Sequence, residues 1–175
     1  AGLVNFPAPS MGNLDSVRAI MVSGARMTQQ LVRDLRDRLC RQILSVYSST
    51  EASTAAFAVD FSVIEDIPDA VGFLAPWAEL EVVDERGAVV PAGHTGMIRY
   101  RTQSHLSIIS DQSSLDEIGS WFYPGDIGSV TANNVLCIHG RTDNRLNLGG
   151  VKVSAELLDE IVQGLPGVQD GAVCA

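Results

Sequence analysis

The sequence has little positive charge, and what it has is dispersed. It contains 12 Lys and Arg against 21 Asp and Glu, which gives a formal net charge of −9 at pH 7, and no block of basic residues occurs. Nucleic acids and anionic membranes bind through clustered positive charge, so neither is expected as the main partner. A nucleotide remains compatible with an acidic surface, because a small ligand is held by a local site.

Cysteine and long apolar runs are equally scarce. The three cysteines, Cys40, Cys137 and Cys174, are odd in number, widely spaced and outside any C-x-x-C motif. They indicate neither a disulfide framework nor a zinc site, and they favour a reducing, cytoplasmic setting. No apolar run approaches the ~20 residues of a membrane-spanning helix, so no membrane span is predicted. Hydrophobic residues still make up 46% of the chain, which is enough for a folded core.

The first part of the chain predicts a β-α-β unit. Residues 19–22 (AIMV) are a short apolar run and read as a buried strand, as do residues 42–46. Between them, residues 28–40 place their apolar side chains on one face, with Thr28 as a plausible N-cap, which predicts a surface helix. Two buried strands joined through a helix imply a parallel sheet.

The pattern then changes to short strands separated by turns. Such strands are expected at residues 80–83, 88–90, 96–101, 127–130 and 135–139, with a hairpin turn at residues 133–134 (NN). They predict an antiparallel sheet or a small barrel. Residues 104–120 are polar and read as a loop. A third region begins near residue 144, with a strand at 151–153, a helix capped by Ser154 and a strand starting at 168. The fold class is therefore mixed α/β.

Three segments carry residues that could bind a nucleotide. Segment 47–51 (YSSTE) follows a buried strand at the carboxyl end of the parallel sheet, where its hydroxyls and carboxylate could hold a phosphate and Mg²⁺. Segment 121–126 (WFYPGD) places a carboxylate after a turn, where it could accept ribose hydroxyls. Segment 140–144 (GRTDN) offers an Arg for a sugar or phosphate and an acid that could serve as a hinge. Taken singly, each is more often a polar loop, an aromatic cluster with a turn-capping Asp, or a surface turn.

In this order and spacing the segments resemble the adenylate-forming superfamily, which includes acyl-CoA synthetases, peptide-synthetase adenylation domains and luciferases. Segment 47–51 is similar to the family's Y-G-x-T-E motif, with Ser48 in place of Gly. Segment 123–126 is similar to its T-G-D turn, with Pro124 in place of Thr. The other similar segments are 23–25 (SGA), 93–98 (GHTGMI, with Met97 where Glu is common), 140–143 (GRTD) and 146–154. The resemblance extends from about residue 14 to the end, and its weight lies in the ordered set.

The resemblance implies a role for each matching residue. The residues that would contact the nucleotide or CoA are Gly24 and Ala25 against adenine, Tyr47 stacked on adenine beside Ser48, Asp126 and Arg141 on the ribose, and Gly149 where pantetheine enters. The residues that would act in the reaction are Thr50, on the phosphate of ATP and of the adenylate, and Glu51, which would hold Mg²⁺. Asp143 would be the hinge between the adenylation and thioester-forming states.

The resemblance also implies an activity. The parent protein would be an ATP-dependent acyl-CoA ligase, in which a carboxylic acid attacks ATP to give acyl-AMP and the thiol of CoA then displaces AMP. Positioning and charge neutralisation would carry most of the catalysis. The implied cofactors and substrates are ATP/AMP, Mg²⁺, CoA and a carboxylic acid.

The same comparison predicts an internal piece of such an enzyme. Residues 1–142 would be the end of the large AMP-binding domain, and residues 143–175 the hinge and the start of the small C-terminal domain. The family's phosphate loop and catalytic Lys have no counterpart here, since Lys152 is the only lysine. The piece alone is therefore expected to be inactive, and a sheet edge exposed by truncation would allow it to form a homodimer. The alternative is a stand-alone, non-catalytic nucleotide-binding or interaction module of the same fold.

The three histidines are not expected to be catalytic. His94 falls in a turn, His105 in a polar loop and His139 at a strand end. No Ser or Cys nucleophile motif accompanies them, so all three are expected to be structural or solvent-facing.

Overall fold

The computed structural model describes residues 14–24, 27–103, 120–143, 145–148, 151–163, 165–168, 171 and 173. The strands are β1 Ile20–Ser23, β2 Ile43–Ser49, β3 Ser53–Ala58, β4 Ala70–Leu74, β5 Ala78–Val83, β6 Gly96–Thr102, β7 Asp126–Val130, β8 Val135–Arg141, β9 Arg145–Leu148 and β10 Val151–Ser154. The helices are α1 Gln29–Arg38 and α2 Ala155–Gln163, and a short 3-10 helix spans Phe61–Val63.

One mixed sheet dominates the molecule. Eight strands lie in the order β1-β2-β3-β4-β8-β7-β6-β5. β1 and β2 pair in parallel, and every other neighbouring pair in this sheet is antiparallel. The predicted β-α-β unit and antiparallel region are therefore both present. They form one continuous open sheet with β1 and β5 at its two ends. The sequence predicted either an antiparallel sheet or a small barrel for the second region, and the structure shows a sheet.

The structure differs from the sequence-based expectations at three places. Strand β2 continues through Tyr47 to Ser49, beyond the end expected at residue 46, because antiparallel pairing with β3 extends it past the end of its parallel pairing with β1. Asp126, for which a turn cap was the alternative to ribose binding, is the first residue of β7. Of residues 88–90, Val89 alone makes a bridge, with Val83.

Helix α1 packs on the sheet through the face that its sequence predicts. Thr28 is the N-cap, since its Oγ1 accepts the N–H of Leu31 at 3.1 Å. Val32 and Leu35 are buried against the sheet, beside Ile43 of β2. Burying each of these apolar side chains contributes roughly 1.5–3 kcal/mol, which holds the helix in place.

A second cluster fills the space around β6. Its strand alternates, so that Ile98, Tyr100 and Thr102 are buried while the intervening residues are more exposed. Tyr100 is 0% exposed and is the largest fully buried side chain among the described residues. Its ring lies 5.6 Å from Phe122, edge to face, and 6.2 Å from Tyr47. This aromatic group links β6 to the end of β2.

The C-terminal region contains a hairpin and a helix. The expected strand at 151–153 is β10, which pairs antiparallel with β9, a strand that was not predicted. Helix α2 follows immediately after Ser154. The loop predicted at 104–120 and the strand predicted from 168 lie almost wholly outside the described residues, as do Ala25 and Gly149. In the part of the chain that the structure describes, no helix has the length and apolar character needed to cross a membrane.

Gly72 in β4 is expected to tolerate no side chain. Its φ is +155°, and a Cβ there would lie 2.4 Å from the backbone carbon of Phe57. We expect Gly72→Ala to lower the free energy of unfolding by about 3 kcal/mol, because backbone on β3 must shift to admit the methyl group. Denaturant unfolding of both proteins measures the change.

Gly87→Ala is the matched control. Gly87 also has a positive φ, of +80°, but nothing lies within 4 Å of the added Cβ. It should therefore cost only about 1 kcal/mol, the conformational part of the effect. Equal losses in the two variants would show that crowding at Gly72 is unimportant.

Candidate functional site

The carboxyl ends of β1 and β2 meet at one edge of the sheet. Because the two strands are parallel, Ser23 and Ser48 end up side by side, with their Oγ atoms 3.5 Å apart. Gly24 follows directly and is exposed. The register of β2 against β3 shifts between Tyr47 and Ser48, which re-aims the residues beyond it. This is the position at which α/β sheets bind ligands.

Tyr47 reaches from this edge to the start of β7. Its hydroxyl donates to Oδ2 of Asp126 at 2.5 Å, although the two residues are 79 positions apart in the chain. The Asp126 side chain is only 13% exposed, so its carboxylate is held in a partly buried position. The structure thus joins two of the predicted nucleotide-binding residues directly.

Arg141 completes the group from the end of β8. Asp126 and Arg141 are register partners across β7 and β8, and Nη1 of Arg141 lies 3.4 Å from Oδ1 of Asp126. The same guanidinium grips Asp143, through Nε to Oδ1 at 2.9 Å and Nη2 to Oδ2 at 3.4 Å. One hydrogen-bonded network therefore joins Tyr47, Asp126, Arg141 and Asp143, and it is called here the Tyr47–Asp143 network.

Glycine at position 125 leaves room for the Arg141 guanidinium of this network. Its φ is +82°, and an added Cβ would lie 3.1 Å from Nη2 of Arg141. The backbone N–H and the Oγ1 of Thr142 both donate to the carbonyl of Gly125, at 2.7 and 3.0 Å. The turn before β7 and the end of β8 are thereby locked together, which fixes the relative positions of Asp126 and Arg141.

Burial, hydrogen bonds and charges shift the pKa values of residues in this network. Burial raises the pKa of the Tyr47 phenol, and the hydrogen bond to Asp126 raises it further, so the hydroxyl keeps its proton and acts as a hydrogen-bond donor. Hydrogen bonds from Arg141 lower the pKa of Asp143, and the same pairing raises the pKa of the guanidinium. The Arg141–Asp143 pair is largely exposed, with side chains 46% and 63% exposed, and contributes little to stability, so its significance lies in geometry.

Thr50 and Glu51 occupy the turn between β2 and β3. Thr50 is exposed and Glu51 is half-buried, so both can be reached by a ligand at this edge. The turn is closed by Oγ of Ser49, which accepts the N–H of Ala52 at 3.0 Å. Among the described residues no group of three or more His, Cys, Asp or Glu could hold a metal ion. A single carboxylate such as Glu51 is the protein contribution expected where Mg²⁺ is bound mainly by substrate phosphates and water.

A polar cluster on β7 and β8 was not predicted from the sequence. His139 lies between two partners, with Nδ1 3.0 Å from Oδ2 of Asp69 and Nε2 3.0 Å from Oγ of Ser129. The sequence indicated no Ser partner for His139, but the fold supplies one in Ser129. Ser129 is 7% exposed and belongs to a paired strand, so its hydroxyl is poorly placed to attack a substrate. We assign the cluster to holding β7 and β8 against the segment before β4.

We expect His139→Leu to reduce the free energy of unfolding by about 1–2 kcal/mol. The change removes both hydrogen bonds and leaves the buried Ser129 hydroxyl without its imidazole partner. Thermal or denaturant unfolding measures the loss. His94→Leu is the control, because His94 is exposed in a turn and should change stability by no more than about 0.5 kcal/mol. A stable His139→Leu variant would show that the cluster carries no structural load.

Comparison with known proteins places these observations in a family. The family model described as AMP-binding enzyme matches residues 2–107. The chain is 26% identical to the medium-chain fatty-acid–CoA ligase of Escherichia coli (strain K12), an alignment that covers 99% of this chain and 31% of that protein. It is 29% identical to a 4-coumarate–CoA ligase of Humulus lupulus, covering 92% of this chain and 31% of that protein. The chain thus spans 31% of the length of these two relatives.

Solved structures share the fold. The amide bond synthetase McbA from Marinactinospora thermotolerans superposes with a TM-score of 0.76 at 23% identity, covering 96% of this chain and 35% of that one. The O-succinylbenzoate coenzyme A synthetase of Bacillus subtilis in complex with AMP superposes with a TM-score of 0.74 at 18% identity, covering 89% of this chain and 32% of that one. With the family model matching more than half of its length, this chain belongs to the family of AMP-binding enzymes.

Proposed function

We propose that this chain is part of an ATP-dependent acyl-CoA ligase, which activates a carboxylic acid as acyl-AMP and transfers the acyl group to CoA. The observation that carries the proposal is the Tyr47–Asp143 network of hydrogen bonds. It brings an aromatic ring, a carboxylate and a guanidinium together at one edge of the sheet, where the ring would serve adenine and the carboxylate the ribose. The names of the relatives support the reaction class, since both are acid–CoA ligases.

The nucleotide would lie across the edge formed by β2, β7 and β8. In this arrangement Tyr47 presents its ring to adenine beside Gly24, Ala25 and Ser48. Asp126 accepts the ribose hydroxyls, which its carboxylate can do while it holds Tyr47 and Arg141, because each carboxylate oxygen has two lone pairs. Binding would orient the α-phosphate toward the turn that carries Thr50 and Glu51.

The phosphate side of the site belongs to that turn. Thr50 would donate its hydroxyl to a phosphate oxygen, and Glu51 would hold Mg²⁺ that neutralises the phosphates as charge develops. When bound, the ion supplies charge stabilisation for the departing pyrophosphate. The protein's part is to hold the acid and the α-phosphate at reacting distance, which accounts for much of the rate gain in such reactions.

The chain would also span a domain boundary. We place the boundary between residues 142 and 143, with Asp143 as the hinge and Gly149 in the segment that meets pantetheine. The position of Asp143 supports this placement, because its side chain is 63% exposed and it lies two residues beyond the end of β8. A rotation there would exchange the adenylation and thioester-forming arrangements of the small domain.

ATP–pyrophosphate exchange tests the proposal. The assay is run on the full-length protein that carries this chain, with fatty, aryl and amino acids as separate substrates. Exchange that depends on one class of acid, followed by CoA-dependent release of AMP, is the expected result and identifies the acid. The 175-residue chain assayed alongside should give none. Binding of AMP without exchange for any acid would instead favour a non-catalytic nucleotide-binding module.

A further inference from the structure

Tyr100 is a residue that the nucleotide contacts do not account for. It is completely buried, yet it carries a hydroxyl, which a core position accepts only when that hydroxyl is hydrogen-bonded. The hydroxyl donates to Oγ of Ser49 at 2.8 Å and lies 3.3 Å from the carbonyl of Ser53. Both partners border the turn that carries Thr50 and Glu51. Phe would fill the same space without this bond.

A relay of hydrogen bonds continues from Tyr100 into the turn. Ser49, held by Tyr100, accepts the N–H of Ala52 at 3.0 Å. From the same strand, Oγ1 of Thr102 donates to the carbonyl of Ala52 at 2.8 Å. Two inward-facing residues of β6 thus hold the turn at its entry and its exit. Residues Tyr100, Ser49, Ala52 and Thr102 are called here the turn anchor.

The turn requires such support because its backbone is unusual. Ser53, the residue that leaves it, has a φ of +64°, which is the left-handed region that residues with a Cβ rarely adopt. Such conformations persist where the surroundings over-determine them, and they concentrate at functional sites. Without the anchor, the exposed Thr50 and the half-buried Glu51 would be free to leave the positions that this backbone gives them.

We infer that Tyr100 is a positioning residue that sets the phosphate- and magnesium-binding turn through the hydroxyl of Ser49. This inference rests on the proposed function, since it gives Tyr100 a task in the same site. Tyr100 touches no substrate. It acts on the reaction only through the placement of Thr50 and Glu51. Its ring also contacts that of Tyr47, so Tyr100 lies between the proposed adenine side and the proposed phosphate side of the site.

Tyr100→Phe is the direct test in the full-length protein. It keeps the ring and removes the hydroxyl, so folding and the contact with Tyr47 should be retained. We expect kcat for ATP–pyrophosphate exchange to fall about tenfold to a hundredfold, the scale of a small misplacement of catalytic groups. Binding of adenosine, which has no phosphate, should stay within about twofold of wild type. A residue that merely stabilised the fold would not separate these two quantities.

Variants of Ser49 test the route of the effect. Ser49→Ala should reproduce the loss of kcat, and Ser49→Thr, which keeps a hydroxyl, should recover much of the activity. The double variant Tyr100→Phe, Ser49→Ala should be no slower than Ser49→Ala alone, because both changes break the same relay. Ser129→Ala removes a buried hydroxyl outside the turn anchor and should leave kcat unchanged. Additive losses in the double variant would overturn the inference, as would a Tyr100→Phe enzyme of normal kcat.

Amide hydrogen exchange provides a readout that needs no activity. The N–H of Ala52 is protected by Ser49, so Tyr100→Phe should speed its exchange while amides of β7 and β8 are unaffected. Unchanged protection at Ala52 would overturn the inference even in an active enzyme. If wild type performs no pyrophosphate exchange with any acid, the proposed function fails, and faster exchange at Ala52 still establishes the anchor as a property of the turn.

Discussion

Replacing Asp126 by Asn is expected to weaken AMP binding about a hundredfold. The carboxylate accepts from Tyr47 and faces the Arg141 guanidinium, and in the proposed complex it also accepts the ribose hydroxyls. An amide offers one accepting oxygen, and its NH₂ group must face either a hydroxyl proton or a cation. Hydrogen bonds to charged groups contribute about 1.5–3 kcal/mol, and 1.4 kcal/mol is tenfold in affinity. Calorimetric titration of the full-length protein with AMP measures the change.

The control for this prediction is Asp84→Asn. Asp84 lies after β5 and accepts the backbone N–H groups of Arg86 and Ala88, both at 2.9 Å. The oxygen of an Asn can accept the same bonds, so the affinity for AMP should stay within about twofold. If Asp126→Asn also binds AMP within about twofold of wild type, Asp126 is a structural residue and the ribose lies elsewhere.

The site was predictable where its signals are local. An apolar run ending in polar residues indicated that Tyr47 and Ser48 lie at the end of a buried strand, and the parallel pair indicated which edge of the sheet that is. The order of the motifs suggested that Asp126 and Arg141 share a site with Tyr47. The turn at residues 133–134 indicated the β7–β8 hairpin that pairs Asp126 with Arg141. The contact of Tyr47 with Asp126 also depends on β8 pairing with β4, which no local pattern specifies.

The sequence missed elements whose signals are weak or entirely tertiary. Strand β3 (STAAFA) contains three alanines and lacks the alternation of a half-buried strand, because Ala55 and Ala56 are both buried although they face opposite sides. Tyr100 falls within the strand expected at residues 96–101. Nothing in that pattern indicated that its hydroxyl meets Ser49, 51 residues earlier in the chain. Polar groups in a core find partners through topology, so such contacts emerge only from the fold.

Replacing Glu51 by Gln is expected to abolish most of the ATP–pyrophosphate exchange activity while leaving the affinity for AMP nearly unchanged. The substitution keeps the size of the side chain and removes its charge, which is the property that Mg²⁺ requires of a carboxylate ligand. Loss of one preorganised electrostatic group typically lowers kcat about 10²- to 10³-fold, and we expect a decrease of that size in ATP–pyrophosphate exchange. Binding of AMP without Mg²⁺ should remain within about twofold of wild type.

The contrast with Asp126→Asn gives this prediction its discriminating power. One variant should lose the nucleotide and the other should keep the nucleotide but lose the chemistry, because Asp126 and Glu51 serve the ribose and the metal separately. Raising the Mg²⁺ concentration should recover part of the activity of Glu51→Gln if metal affinity is what it lost. Glu85→Gln, at an exposed turn between β5 and β6, is the control and should behave as wild type. A Glu51→Gln enzyme with normal exchange at limiting Mg²⁺ would exclude Glu51 as the ligand and leave the turn with a phosphate-binding role through Thr50 alone.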